Sequence, residues 1–168
     1  EDVEIAGKVL DEYETKLAED IPSKYELVAE PENKTGTMTE EEITVIYYYR
    51  KKATKVIVHY YEENTTSKLS EDVTINGRVD DKYTTVSADD IPIKYELVAT
   101  PSNANGSMTE STIEVIYYYR VKDAVVHVRY LEKGTDIVLA DPDRIDGKVD
   151  EDYQTMPKEI DGYQLVEQ

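Results

Sequence analysis

Residues 108–120 read MTESTIEVIYYYR, and residues 38–50, 70 positions earlier, read MTEEEITVIYYYR. A match of this quality at one fixed spacing is the mark of a tandem repeat, and the rest of the chain keeps the register. EDVEIAGKVLDEY at Glu1 falls on EDVTINGRVDDKY at Glu71, and DIPSKYELVAEPENKTG at Asp20 falls on DIPIKYELVATPSNANG at Asp90. With no gap, 32 of the first 50 positions are identical. A further shift carries VIVHYYEE at Val56 onto HVRYLEK near His127, and INGRVDDKY at Ile75 onto IDGKVDEDY at Ile145. This third copy is more divergent and lacks two residues ahead of Tyr163. The expected domains are 1–52, a repeat lacking its first strand; 53–122, a complete repeat; and 123–168, a repeat lacking its last strand. The chain reads as a piece of a longer array.

Inside a unit the hydrophobic period is two, which is the signature of strands with one buried face. Val56, Val58 and Tyr60 alternate with Ile57, His59 and Tyr61. In the third copy the first set becomes Val126, Val128 and Tyr130 and keeps its type, whereas the second becomes His127, Arg129 and Leu131. The first set is therefore expected to face the core. In the last strand Ile113, Val115, Tyr117 and Tyr119 alternate with Glu114, Ile116, Tyr118 and Arg120. Further strands are expected through Asp72–Val79 and Tyr95–Ala99, the second bracketed by Pro92 and Pro101. Asn76-Gly77 and Asp146-Gly147 read as turn or bulge signals, and Asp80–Asp90 as a polar stretch anchored by Tyr83, with room for one helical turn. No segment sustains a 3.6-residue period, so helices are minor. The linkers Lys51–Thr54 and Val121–Asp123 hold no Gly or Pro, which predicts restricted, end-to-end packing of the copies.

Composition removes several function classes. The net charge is −18, spread as −7, −4 and −7 over residues 1–54, 55–122 and 123–168. Such a field repels phosphate backbones and anionic headgroups, so no nucleic-acid partner is expected. No apolar run approaches the ~18–20 residues of a membrane span, so membrane insertion is not expected either. Nothing at Glu1 resembles a signal peptide, which places any targeting segment outside this sequence. The chain has no Cys, which excludes disulfides and thiolate metal sites.

The ordered motifs Gly77-Arg78-Val79, Tyr83, Tyr95-Glu96-Leu97-Val98, Pro101, Gly106 and Val115–Tyr119 resemble the MucBP (mucin-binding protein) repeats of Gram-positive surface adhesins. The resemblance covers the whole middle copy and the parts present of the other two. It implies a mainly β fold of tandem, ubiquitin-like β-grasp repeats set end to end as an elongated rod. It also implies an extracellular, cell-wall-anchored parent that attaches to host mucin or other glycans. It carries no catalytic motif, and the chain is not expected to be an enzyme. The alternatives are a purely structural stalk that presents another domain, or a self-associating extracellular fibre whose unpaired strands are completed by another chain.

The candidate sites follow from residue type and phase. His59 and His127 fall at different phases of the repeat, on the face read as exposed, and are expected to be solvated surface residues. The pairs Asp80-Asp81 and Asp89-Asp90 lack calcium-loop spacing, so no cofactor is expected beyond adventitious Ca²⁺. Tyrosine is the most informative type: the chain holds 15 Tyr, no Trp and no Phe, and Tyr offers a sugar both an apolar ring and a hydroxyl. Tyr47, Tyr60, Tyr117 and Tyr130 are read as core. Tyr48, Tyr61 and Tyr118 stand on the opposite faces and are the candidate binding residues, with packing against a neighbouring segment as the plainer reading.

Overall fold

The computed structural model describes residues 2–166, and among these every regular element is a strand. The first copy contributes β1 (Glu12–Glu14), β2 (Tyr25–Leu27), β3 (Thr35–Thr37) and β4 (Tyr49–Lys51). The middle copy contributes β5 (Ala53–Glu62), β6 (Lys68–Arg78), β7 (Lys82–Thr84), β8 (Tyr95–Leu97), β9 (Asn105–Ser107) and β10 (Ile113–Val121). The third contributes β11 (Asp123–Leu131) and β12 (Val138–Lys148). The protein is thus mainly β and built of tandem repeats. The chain clusters into two compact units. One holds the residues up to Val58 together with Val73–Thr85 and Asn103–Val115; the other holds His59–Asp72, Val86–Ser102 and the residues from Ile116 on.

The strand order of the complete copy is β6-β5-β10-β8, with β10 antiparallel to β8. Two bonds give the direction of the central pair. Thr54 Oγ1 donates to Ser111 O at 3.4 Å near the start of both strands, and Glu63 N donates to Tyr119 O at 2.7 Å near the end of both. The first and last strands of the repeat therefore run parallel, side by side. A parallel central pair is covered and strongly apolar on its inner face. Val56, Val58 and Val115 line that face in the first unit, and Tyr60, Tyr117 and Tyr119 in the second, all under 4% exposed. These are the inward sets expected from the alternation. Tyr60 and Tyr117 stack with ring centroids 5.7 Å apart, and each outer hydroxyl finds a partner: Tyr60 Oη donates to Val86 O, and Tyr119 Oη accepts from Ala88 N.

The flanking copies show what the central pair contributes. In the third copy β11 and β12 pair alone, and its inward residues Val126, Val128 and Tyr130 remain only half-buried. In the first copy β2 pairs with β4, and β1 with β3, while Val3, Ile5 and Val9 stay exposed.

Two local expectations are corrected. The stretch after Asp80 holds strand β7, paired with β9 from Lys82↔Ser107 to Thr84↔Asn105, and not a helical turn. Tyr83 anchors it, 7% exposed, with its hydroxyl donating to Asn103 O at 3.1 Å. Asn76-Gly77 is not a turn but lies inside β6. Glycine is needed there because a Cβ would sit 2.5 Å from Met108 Sδ. The turn comes just after: Asp81 N donates to Arg78 O at 3.0 Å and Asp80 takes φ 71°, a left-handed conformation that Asp tolerates better than most residues.

The links between copies are shorter than the sequence suggested. Only Lys52 separates β4 from β5, and only Lys122 separates β10 from β11. Each link residue is held on both sides. Lys52 N donates to Lys24 O at 2.8 Å, and Lys52 O accepts from Val79 N at 3.1 Å. In the second unit Lys122 N donates to Lys94 O at 2.9 Å, and Lys122 O accepts from Val149 N at 3.0 Å.

Gly77→Ala drives its methyl into Met108 and is expected to destabilise the chain by about 1–3 kcal/mol, the usual cost of overpacking. Adding Met108→Ala removes the clash, so the second substitution should cost less in the Gly77→Ala background than in the wild type. Urea denaturation of the four proteins checks this; equal costs in both backgrounds contradict the contact.

Candidate sheet-face binding site

The outward face of β5 and β10 in the second unit is the best-formed candidate surface. Residues i and i+2 on a strand share a face, so His59 and Tyr61 stand together; their rings stack with centroids 5.8 Å apart and planes 18° from parallel. The bond from Glu63 N to Tyr119 O sets the register in which Tyr61 lies opposite Tyr118 on the next strand. Tyr118 is 41% exposed, and its carbonyl accepts from Val98 N at 2.9 Å. One pair further along, Arg120 Nε donates to Glu96 Oε1 at 2.8 Å across β10 and β8. The structure therefore brings two of the three candidate tyrosines, Tyr61 and Tyr118, onto one patch with a cross-strand ion pair beside it.

Tyr48 does not join them. It stands in the first unit, 66% exposed, where it repeats the local arrangement of Tyr118: its carbonyl accepts from Val28 N at 2.8 Å, and Arg50 pairs with Glu26 at 2.7 Å. Tyr48 and Tyr118 are one position of the repeat seen twice.

His59 differs from expectation. Its side chain is only 16% exposed, with Nδ1 closed off from solvent and 3.0 Å from Asp72 Oδ1. Lys68 Nζ reaches the same Asp72 oxygen at 3.3 Å. The reading of His59 as a solvated surface residue is corrected: the Tyr61 ring and the Asp72 carboxylate cover it. In the third copy the whole group is exchanged together, with Arg129, Leu131, Val138 and Pro142 at the phases of His59, Tyr61, Lys68 and Asp72. His127 follows the original expectation and is exposed on β11. Sequence reasoning missed the Glu96–Arg120 pair, although its signal was present: Glu26 and Arg50 recur at the same two phases.

Burial works against ionisation of Asp72, yet its bonds with His59 and Lys68 prevail and hold the carboxyl below the usual carboxylate range. Among the described residues no group of three His, Cys, Asp or Glu stands close enough to hold a metal ion. No helix there is long and apolar enough to cross a membrane.

Comparison with known proteins gives the family. The MucBP domain signature matches residues 1–50, 55–120 and 125–168. The chain belongs to the MucBP domain family. It is also 35% identical over 167 residues to Internalin J of Listeria monocytogenes serotype 4b, covering 96% of this chain and 18% of that protein. With Internalin J of serovar 1/2a it shares 39% identity over 101 residues, 58% of this chain and 12% of the relative. The chain thus spans less than a fifth of the length of these relatives. Tyr48 and Tyr118 hold one position in the first two copies, whereas the third copy has Arg129, Leu131 and Pro142 in place of His59, Tyr61 and Asp72.

The pH dependence has a definite sign. Asp72 is more acidic in the folded chain than in the unfolded one, so its contribution is complete above the unfolded value of about 4 and fades as pH falls through the folded value. Asp72→Asn is therefore expected to lower the melting temperature at neutral pH, and the difference should close by about pH 2. A difference that stays constant across the titration contradicts the assignment.

Proposed function

We propose that this chain is a repeat region of a Gram-positive cell-surface adhesin that attaches to mucin or other host glycans and carries its contact surface outward from the cell wall. The observation behind this reading is the pairing of Tyr61 and Tyr118 on an open sheet face, with Arg120 and Glu96 alongside. Tyr rings offer flat apolar surface to the carbon-bound face of a sugar, and the hydroxyls and the ion pair offer directional hydrogen bonds. Family membership supports the adhesive class, and no catalytic step enters the account.

Charge limits the strength of each contact. A chain of net charge −18 repels sialylated or sulfated chains at long range, so attachment relies on short-range stacking and on Arg120. A patch of two tyrosines without an enclosing cleft is a weak site, and useful attachment comes from linking many copies at high effective concentration. Tyr48 supplies a second, simpler version of the patch in the first copy.

A stalk is the second reading, and the single-residue links favour it. Lys52 and Lys122 are each bonded to both neighbouring copies, an arrangement suited to transmitting one fixed geometry along an array. A stalk of this kind would project some other domain and bind nothing itself.

Surface plasmon resonance on immobilised mucin separates the two. Tyr61→Ala with Tyr118→Ala should lower affinity by about tenfold, the scale of a truncated aromatic hot spot, and adding Tyr48→Ala should lower it further. Full binding by the triple variant refutes the sheet-face site, and no binding by the wild type favours the stalk.

A further inference from the structure

The two links share a charged feature beyond their backbone bonds. In the first unit Lys24 Nζ lies 2.8 Å from Asp80 Oδ2, and Lys51 Nζ reaches the same oxygen at 3.2 Å. In the second unit Lys94 Nζ lies 3.1 Å from Asp150 Oδ2. Lys24 and Lys94 occupy one phase of the repeat, immediately before the Tyr-Glu-Leu strands β2 and β8, and Asp80 and Asp150 occupy another. Both lysines run along the ring of the following tyrosine, 5.8 Å from the centroid of Tyr25 and 5.7 Å from that of Tyr95. Both aspartates sit at a left-handed turn position, with φ 71° and 65°. The turn fixes where the carboxylate is presented, and the tyrosine fixes where the ammonium arrives.

The same two phases are occupied differently at the outer faces of the set. At the Asp80 phase the first copy has Leu10, in the same left-handed conformation, with φ 76° and 79% exposed. At the Lys24 phase the third copy has Gly162, a register confirmed by the bond from Tyr163 N to Ile160 O, which repeats Tyr25 N to Pro22 O and Tyr95 N to Pro92 O. Acid and lysine are therefore both present at the two internal links, and the outward-facing phases hold neither.

We infer that the turn at Val79-Asp80, repeated at Val149-Asp150, is a neighbour-recognition surface whose partner is a preceding repeat with lysine just before its Tyr-Glu-Leu strand. The faces at Val9-Leu10 and Asp161-Gly162 are built for a neighbour of different chemistry. An exposed ion pair alone is a weak hold. Here it acts on a chain already bonded through the link residue, so its effect is to select which neighbour seats in that position. Order along an array is then written in two residues per copy. This inference holds for an adhesin and for a stalk alike, since it concerns contacts between copies and not the ligand.

The second link is the simpler to test, because Val121 replaces Lys51 and leaves one lysine on the acid. Amide hydrogen exchange is measured on the full chain, reading Val149 N–H and Lys122 N–H, with Val79 N–H and Thr85 N–H as controls for the other link and the core. Lys94→Gly and Asp150→Leu, the residues used at the outer faces, are each expected to speed exchange at Val149 by about two- to fivefold and leave the controls unchanged. Asp150→Asn keeps the turn chemistry and removes the charge, and should match Asp150→Leu. The exchanged pair Lys94→Asp with Asp150→Lys should recover most of the protection that either substitution loses alone. Wild-type exchange in Asp150→Asn, or an exchanged pair no better than Lys94→Asp alone, overturns the inference.

Discussion

Everything in the complete copy depends on the last strand returning to lie beside the first. The two are separated by the whole repeat in sequence, and their parallel pairing, from Thr54 with Ser111 to Glu63 with Tyr119, closes the sheet over Val56, Val58, Tyr60, Val115, Tyr117 and Tyr119. The contact is long-range, so its chain-ordering cost must be met by apolar burial. Among the described residues, the buried ones all lie in the middle copy, the one in which both strands are present. Because the pair is parallel, the last strand ends beside the end of the first, and a single residue, Lys122, then leads into the next copy.

Much of this was legible in the sequence because the repeat supplied an internal comparison. On the first strand, the positions that keep Val or Tyr between copies, Val56, Val58 and Tyr60, are the inward ones, and those that change from Ile57, His59 and Tyr61 to His127, Arg129 and Leu131 face outward. Short features escaped for a physical reason. A three-residue strand such as β7 is too brief to display alternation, and its evidence lay in a contact between distant residues: a Cβ at Gly106 would stand 3.2 Å from the Tyr83 hydroxyl and 3.3 Å from its ring. The turn expected at Gly77 is absent because glycine also serves close approach, here of Met108. The covering of His59 by Asp72 and Tyr61 depends on cross-strand packing that no local pattern reports.

The placement of positive charge stands out against the acidic composition. The chain carries 37 Asp and Glu against 19 Lys and Arg, and at least five of those cations, Lys24, Lys51, Lys94, Arg50 and Arg120, are engaged by carboxylates at links or beside the outward tyrosines. These pairs stand where copies meet and beside the open strand face, while the net charge of the chain stays at −18. A net charge of this size opposes unspecific association between molecules.

The central claim is that β10 closing against β5 is what makes a copy fold. Thermal unfolding followed by circular dichroism, on residues 53–122 and on the same fragment ended at Thr112 so that β10 is missing, tests it most directly. The account predicts one cooperative transition for the longer fragment and a featureless, non-cooperative melt for the shorter. A cooperative transition at a similar temperature in the fragment without β10 would contradict it.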